Sequence, residues 1–159
     1  MAAQAKDAFG GCDLVLMLGS SIKPNEALLT ASDVLREQNA LPENMVVYEN
    51  AGSGRDNAKT LLLTLLNNSP SAGKVVVLCE SGELALGVLD VANGLDDGKD
   101  LITCSLSAPT ALDGPAWRGS LTYSKDDYVA GLVTSLENFF ENAEFESVSL
   151  CYSISNYTK

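Results

Sequence analysis

Short runs of almost unbroken Val and Leu return roughly every 30 residues along this chain, the spacing of a strand–helix–strand unit. The first three are CDLVLML (12–18), NMVVYE (44–49) and KVVVLC (74–79), followed by LITCSL (101–106) and SVSLCYSI (147–154). A strand apolar at consecutive positions has both faces buried, as in a parallel sheet covered by helices on either side. Helical patterns fill the intervals. Ala27, Leu28, Ala31, Val34 and Leu35 keep helical spacing after Pro24, and the pattern fades at Asn39. Ala58, Leu61, Leu62, Leu65 and Leu66 form a second stripe, stopped by Asn67-Asn68-Ser69-Pro70, and Ala85, Val88, Leu89 and Ala92 a third, ended by Asn93-Gly94. A fourth begins at Ser124, a capping residue, with Asp126 and Asp127 suited to the positive first turn; Val129, Leu132, Val133, Leu136 and Phe140 line one face.

The pattern predicts an α/β fold, a three-layer Rossmann-like domain with a mainly parallel five-stranded sheet. Its strands are expected near 13–18, 45–50, 75–79, 101–105 and 147–153, with at least the first three parallel. At 159 residues the chain fits one domain over 1–159, large enough to bury about two-thirds of its unfolded surface. Residues 1–11 contain an Ala-rich stretch that reads as a short helix or a frayed end. The segment APTALDGPAWRGSLTY (108–123) breaks the alternation and reads as a long loop with a functional or interaction role. Trp117 and Tyr123 in it are candidates to stack on a base or a partner protein, the plainer reading being a Trp packed over the core.

Charge and chemistry narrow the partners. Ten basic against 21 acidic residues give a net charge of −11, which repels phosphate backbones and anionic lipid, so neither nucleic acid nor a membrane is expected as a partner. The absence of histidine removes the commonest general base and every Ser-His or Cys-His dyad. No reaction, cofactor or metal is assigned by the residues. Cys12, Cys79, Cys104 and Cys151 form no C-x-x-C pair and read as buried free thiols of a reducing compartment. No secretion signal or membrane-length apolar run is visible, which reads as cytoplasmic.

In an open parallel sheet ligands bind at the edge where the strands end. The exits here are Gly19-Ser20-Ser21, then Glu49-Asn50-Ala51-Gly52-Ser53-Gly54, then Glu80-Ser81-Gly82, then Ser105 and Ser107. Small and hydroxyl residues leave backbone N–H groups and helix N-termini accessible to an anion, although tight turns and caps use the same residues without any ligand. The expectation is a small phosphate-bearing or nucleotide-like ligand held by Gly19, Ser20, Ser21, Gly52, Ser53, Gly54, Arg55, Glu80 and Ser81. Lys23, Arg55 and Arg118 are the candidate cations near it. Glu49 and Glu80 are candidates to share Mg²⁺ or act as acid and base if their strands adjoin. The rival expectation is a non-catalytic subunit or adaptor that keeps such a fold and acts through protein contacts at the Trp117 loop.

Three local resemblances touch these exits. SGRDNAKT (53–60) resembles a phosphate-binding P-loop in which Ser53 and Ala58 stand for the two glycines while Lys59-Thr60 are in place, with VVVLCE as the matching acidic strand. The same loop resembles the glycine turn of class I methyltransferases, with Asn50 for the first glycine, Gly52-Ser53-Gly54-Arg55-Asp56 for the rest and Glu80 as the ribose-holding acid. CDLVLMLGSS (12–21) is similar to the sirtuin strand and its Gly-Ser-Ser turn, which implies contact with a ribose or phosphate; a sirtuin's histidine and zinc cysteine pairs are missing, which excludes deacetylation. None of the three covers the chain.

Overall fold

A computed structural model describes residues 11–95, 100–107, 115–123, 125–142 and 152–155. Strand β1 (Leu14–Gly19) leads to helix α1 (Glu26–Asn39), β2 (Val46–Asn50) to α2 (Arg55–Asn68), and β3 (Lys74–Cys79) to α3 (Gly82–Ala92). Then β4 (Asp100–Ser105) and β5 (Trp117–Tyr123) follow with no intervening helix among the described residues, and α4 (Lys125–Asn142) precedes β6 (Tyr152–Ser155).

The sheet order is β2-β1-β3-β4-β5-β6. The first five strands are parallel, and β6 runs antiparallel along β5. The Rossmann-like expectation therefore holds, with two corrections. Residues 117–123, read as loop, form the fifth parallel strand, and the last apolar run supplies a short antiparallel edge strand, its residues 147–151 lying outside the described ones. The β4–β5 register shifts between Thr103 and Ser105, and Gly119 sits there at φ 115°, a conformation open to glycine.

Both sheet faces are covered, which explains the unbroken apolar runs. Leu14, Leu16 and Leu18 of β1 and Val75, Val77 and Cys79 of β3 pack with Ala58, Leu62 and Leu66 of α2 and Leu84 and Val88 of α3. Their alternates Val15, Met17, Val76 and Leu78 pack with Leu28 and Leu35 of α1 on the other face. Helices α2 and α3 touch at Gly87, where a Cβ would run into the carbonyl oxygen of Arg55 and approach Ala58 Cβ to 2.9 Å.

Cys12, Cys79 and Cys104 are free and buried. Burial pushes the Cys79 thiol up to about 12 and those of Cys12 and Cys104 up to about 11, so none is a thiolate near neutral pH. Cys151 and the expected element in residues 1–10 lie outside the described residues. No described helix is long and apolar enough to cross a membrane.

Candidate functional site

The strand order creates one switch point. From β1 the chain crosses through α1 to β2, and from β3 it crosses through α3 to β4, in the opposite direction and over the opposite face. In open α/β sheets such a switch point, here between the β1 and β3 exits at the carboxyl edge, is where ligands bind. Gly19, Ser20 and Ser21 leave β1 at this place, and Glu80 and Ser81 leave β3.

These residues meet. Glu80 Oε2 accepts the backbone N–H of Ser20 at 2.6 Å and the Ser20 hydroxyl at 2.7 Å. The Glu80 N–H donates to the Leu18 carbonyl at 2.9 Å, so a strand end and not a loose surface chain delivers the carboxylate. From the other side the Tyr48 hydroxyl of β2 donates to the Ser21 carbonyl at 2.5 Å. Its ring lies where a side chain on residue 19 would go: a Cβ there would stand 2.5 Å from the Tyr48 oxygen, which is why glycine occupies the exit. Burial first, then the charge of Glu80, raises the Tyr48 pKa, so the phenol stays protonated and remains a donor. Ser81 turns inward in function: its hydroxyl caps α3 by accepting the Leu84 N–H at 3.4 Å.

The other exit residues sit apart, where β2, the edge strand, enters α2. Gly52 needs its glycine, having φ 62° and an N–H bound to Asn50 Oδ1 at 2.8 Å. Gly54 is the N-cap of α2 with φ −99°, ordinary for any residue, and no side chain caps this helix. Ser53 is exposed at the turn between them. Arg55 turns away: its Nε and Nη2 bind both carboxylate oxygens of Asp90 on α3 at 2.7 and 2.6 Å. The Asp90 hydrogen bond raises the Arg55 pKa, and Arg55 in turn holds the Asp90 carboxyl below its usual range. A shallow groove of about 400 Å³ lies beside this exit, lined by Asn50, Gly52, Asn57, Thr60, Leu61 and Thr64.

Several expectations change. Glu49 and Glu80 leave strands that do not adjoin, because β1 lies between β2 and β3, so the shared-metal and acid–base pairing has no geometric basis. The same interposed strand separates the glycine turn from Glu80, removing the neighbouring-strand arrangement that the methyltransferase resemblance implies. Among the described residues no group of three His, Cys, Asp or Glu side chains could hold a metal ion. Trp117 is a core residue of β5, 1% exposed, with an indole N–H that has no hydrogen-bond partner, so it offers no surface to a partner protein. Residues 108–114 of the expected interaction loop lie outside the described ones. Arg118 bends back to the carbonyls of Pro115 and Trp117, toward the amino-terminal start of β5 and away from the exits. Lys23 is exposed just beyond Ser21. Tyr48 and Asp90 were missed in the sequence; a Tyr in a Val-rich strand and an Asp in an apolar helix become informative only when the strand order and helix pairing are known.

The sequence matches no family model and no curated protein. In three dimensions the chain is similar to a putative LacI-family transcription repressor from Corynebacterium glutamicum, with a TM-score of 0.70 at 12% identity over 98% of this chain and 61% of that one. A glucose-galactose binding protein from Geobacillus stearothermophilus matches with a TM-score of 0.66 at 14% identity over 96% of this chain and 55% of that one. A LacI-family regulator from Enterococcus faecium with bound ribose also matches at 0.66, with 14% identity, over 98% of this chain and 59% of that one. The likeness is one of fold. The chain spans little more than half the length of each of these structures, and the shared architecture is an α/β Rossmann-like domain.

Proposed function

We propose that this chain binds a small, uncharged, hydroxyl-rich molecule of monosaccharide type in the crevice between the β1 and β3 exits. The observation that supports the reading is the Ser20–Glu80 contact, a carboxylate acceptor at the switch point, the part of such sheets where ligands bind in general. Carboxylates recognise hydroxyl groups by charge-assisted hydrogen bonds. Two fold neighbours, one a glucose-galactose binding protein and one bound to ribose, agree with it. A phosphate-bearing or nucleotide-like ligand would have to displace Glu80 from Ser20, whereas a neutral hydroxyl can donate to the carboxylate where it stands. A thermal-shift series with glucose, galactose and ribose against ribose 5-phosphate and adenosine nucleotides tests the reading. A sugar present at 100 times its dissociation constant stabilises the fold by about 2.7 kcal/mol. A rise with a nucleotide and with no sugar overturns it.

A separate observation favours protein contact as a second role. Val129, Leu132, Val133, Leu136 and Phe140 of α4 are 56, 37, 47, 48 and 81% exposed, an apolar stripe facing outward from the domain. This stripe replaces the Trp117 loop as the adaptor surface. Replacing Val133 and Leu136 together by Asp should abolish any association seen by sedimentation while leaving the sugar-induced melting shift intact; association that survives the double change removes this role.

A further inference from the structure

The turn that leaves β1 has the makings of an anion cradle. Gly19 brings no side chain, and Ser20 presents a backbone N–H and a hydroxyl in one direction. In this protein the cradle is filled from within, because a single oxygen of Glu80 takes both donors. We propose that Glu80 is a specificity-determining residue that makes this crevice reject anionic ligands, its carboxylate occupying the position that a phosphate oxygen would take on Ser20. The proposal rests on the reading of the crevice as a ligand site, and adds which ligands it refuses.

Three features support it. The carboxylate is held in place, since the Glu80 backbone continues the hydrogen-bond ladder to Leu18 and the Ser20–Ser21 turn is fastened from the far side by Tyr48. Its charge is not cancelled: among the described residues Glu80 has no ion-pair partner, and Arg55 is engaged by Asp90. That charge reaches its surroundings, raising the pKa of the neighbouring Tyr48 phenol. A phosphate entering the crevice therefore meets donors already bound and a fixed negative charge beside them. An uncharged sugar meets an acceptor.

Two substitutions separate the parts of the device. Glu80→Ala vacates both Ser20 donors and removes the charge. Glu80→Gln removes the charge but keeps an oxygen on the donors. The probe is inorganic phosphate, compared with chloride at matched ionic strength, and the readouts are calorimetry and the melting temperature. Glu80→Ala should bind phosphate about tenfold or more tighter than the wild type, a gain of the size expected for charged hydrogen bonds, with Glu80→Gln between the two. Equal phosphate affinity in wild type and a folded Glu80→Ala overturns the proposal. Should Glu80→Ala not fold, an unchanged phosphate affinity in Glu80→Gln overturns it as well. The underlying site reading fails separately: a wild type that no sugar stabilises, beside a Glu80→Ala that gains phosphate, keeps the anion rejection and discards the monosaccharide ligand.

Discussion

The exits of β1 and β2 carry the same kinds of residue, Gly19-Ser20-Ser21 against Gly52-Ser53-Gly54, and the fold puts them to different uses. The β1 exit is inside the sheet, flanked by strands on both sides, so Tyr48 from one neighbour and Glu80 from the other converge on it. The β2 exit is at the sheet's edge, and its Arg55 is drawn sideways to Asp90 of the next helix. Small polar residues at a strand end are therefore only a permission. Whether they become a site depends on what the adjacent strands deliver, and a central strand at a switch point receives deliveries from two.

Substitutions can break this comparison at either end, and the largest effect is expected where the helices that follow the β2 and β3 exits pack on each other. Gly87→Ala puts a methyl against the Arg55 carbonyl and Ala58 at the α2–α3 contact, so neither helix can stay in place; a loss of about 1 to 3 kcal/mol in chemical denaturation is expected. Wild-type stability in this variant would mean the helices are not as close as described. Gly19→Ala collides only with the tip of a side chain, Tyr48, which can swing away. It should cost about 1 kcal/mol and weaken any sugar-induced melting shift, because the Ser21 contact goes with the tyrosine. If the shift persists, Tyr48 has no part in shaping the crevice.

The opposite sign is expected at the β2 exit. Gly54→Ser supplies the side-chain cap that α2 lacks and should raise stability by a few tenths of a kcal/mol with no effect on ligand response. Loss of ligand binding in that variant would show that a ligand approaches Gly54 closely and would move the site to this exit. The smallest effect belongs to Asp90→Asn. The Asp90 carboxyl titrates lower in the folded protein than in the unfolded one, so its contribution is present above the unfolded pKa and is lost as pH falls through the folded value. The variant should flatten the acid limb of the stability curve below about pH 4 and match the wild type's slope at neutral pH.

Much of the architecture was legible because burial on both faces leaves a plain mark: Val75-Val76-Val77-Leu78 is a strand by its residues, and its alternate side chains enter the two cores. Strand β5 left no such mark. WRGSLTY has a glycine as its third residue, at the irregular pairing with β4, and that glycine together with the nearby prolines reads as loop. Periodicity also cannot say what covers a stripe. Ala85, Val88 and Leu89 of α3 and Val129, Val133 and Leu136 of α4 are the same signal, yet the first three are at most 4% exposed and the others 47 to 56%. For the site, the residues at the exits were visible, whereas their grouping was not, because placing β1 between β2 and β3 is a matter of strand order that spacing does not encode.

The central claim is that ligand meets the β1 and β3 exits and not the β2 exit. It is tested most directly by titrating the ¹⁵N-labelled chain with glucose, galactose and ribose in turn while following every backbone amide by NMR. The account predicts that at least one sugar shifts the amides of Ser20, Ser21, Glu80 and Ser81 in a saturable way while Gly52, Ser53, Gly54 and Arg55 stay still. Saturable shifts confined to Gly52–Arg55, or no amide moving with any of the three sugars, would contradict it.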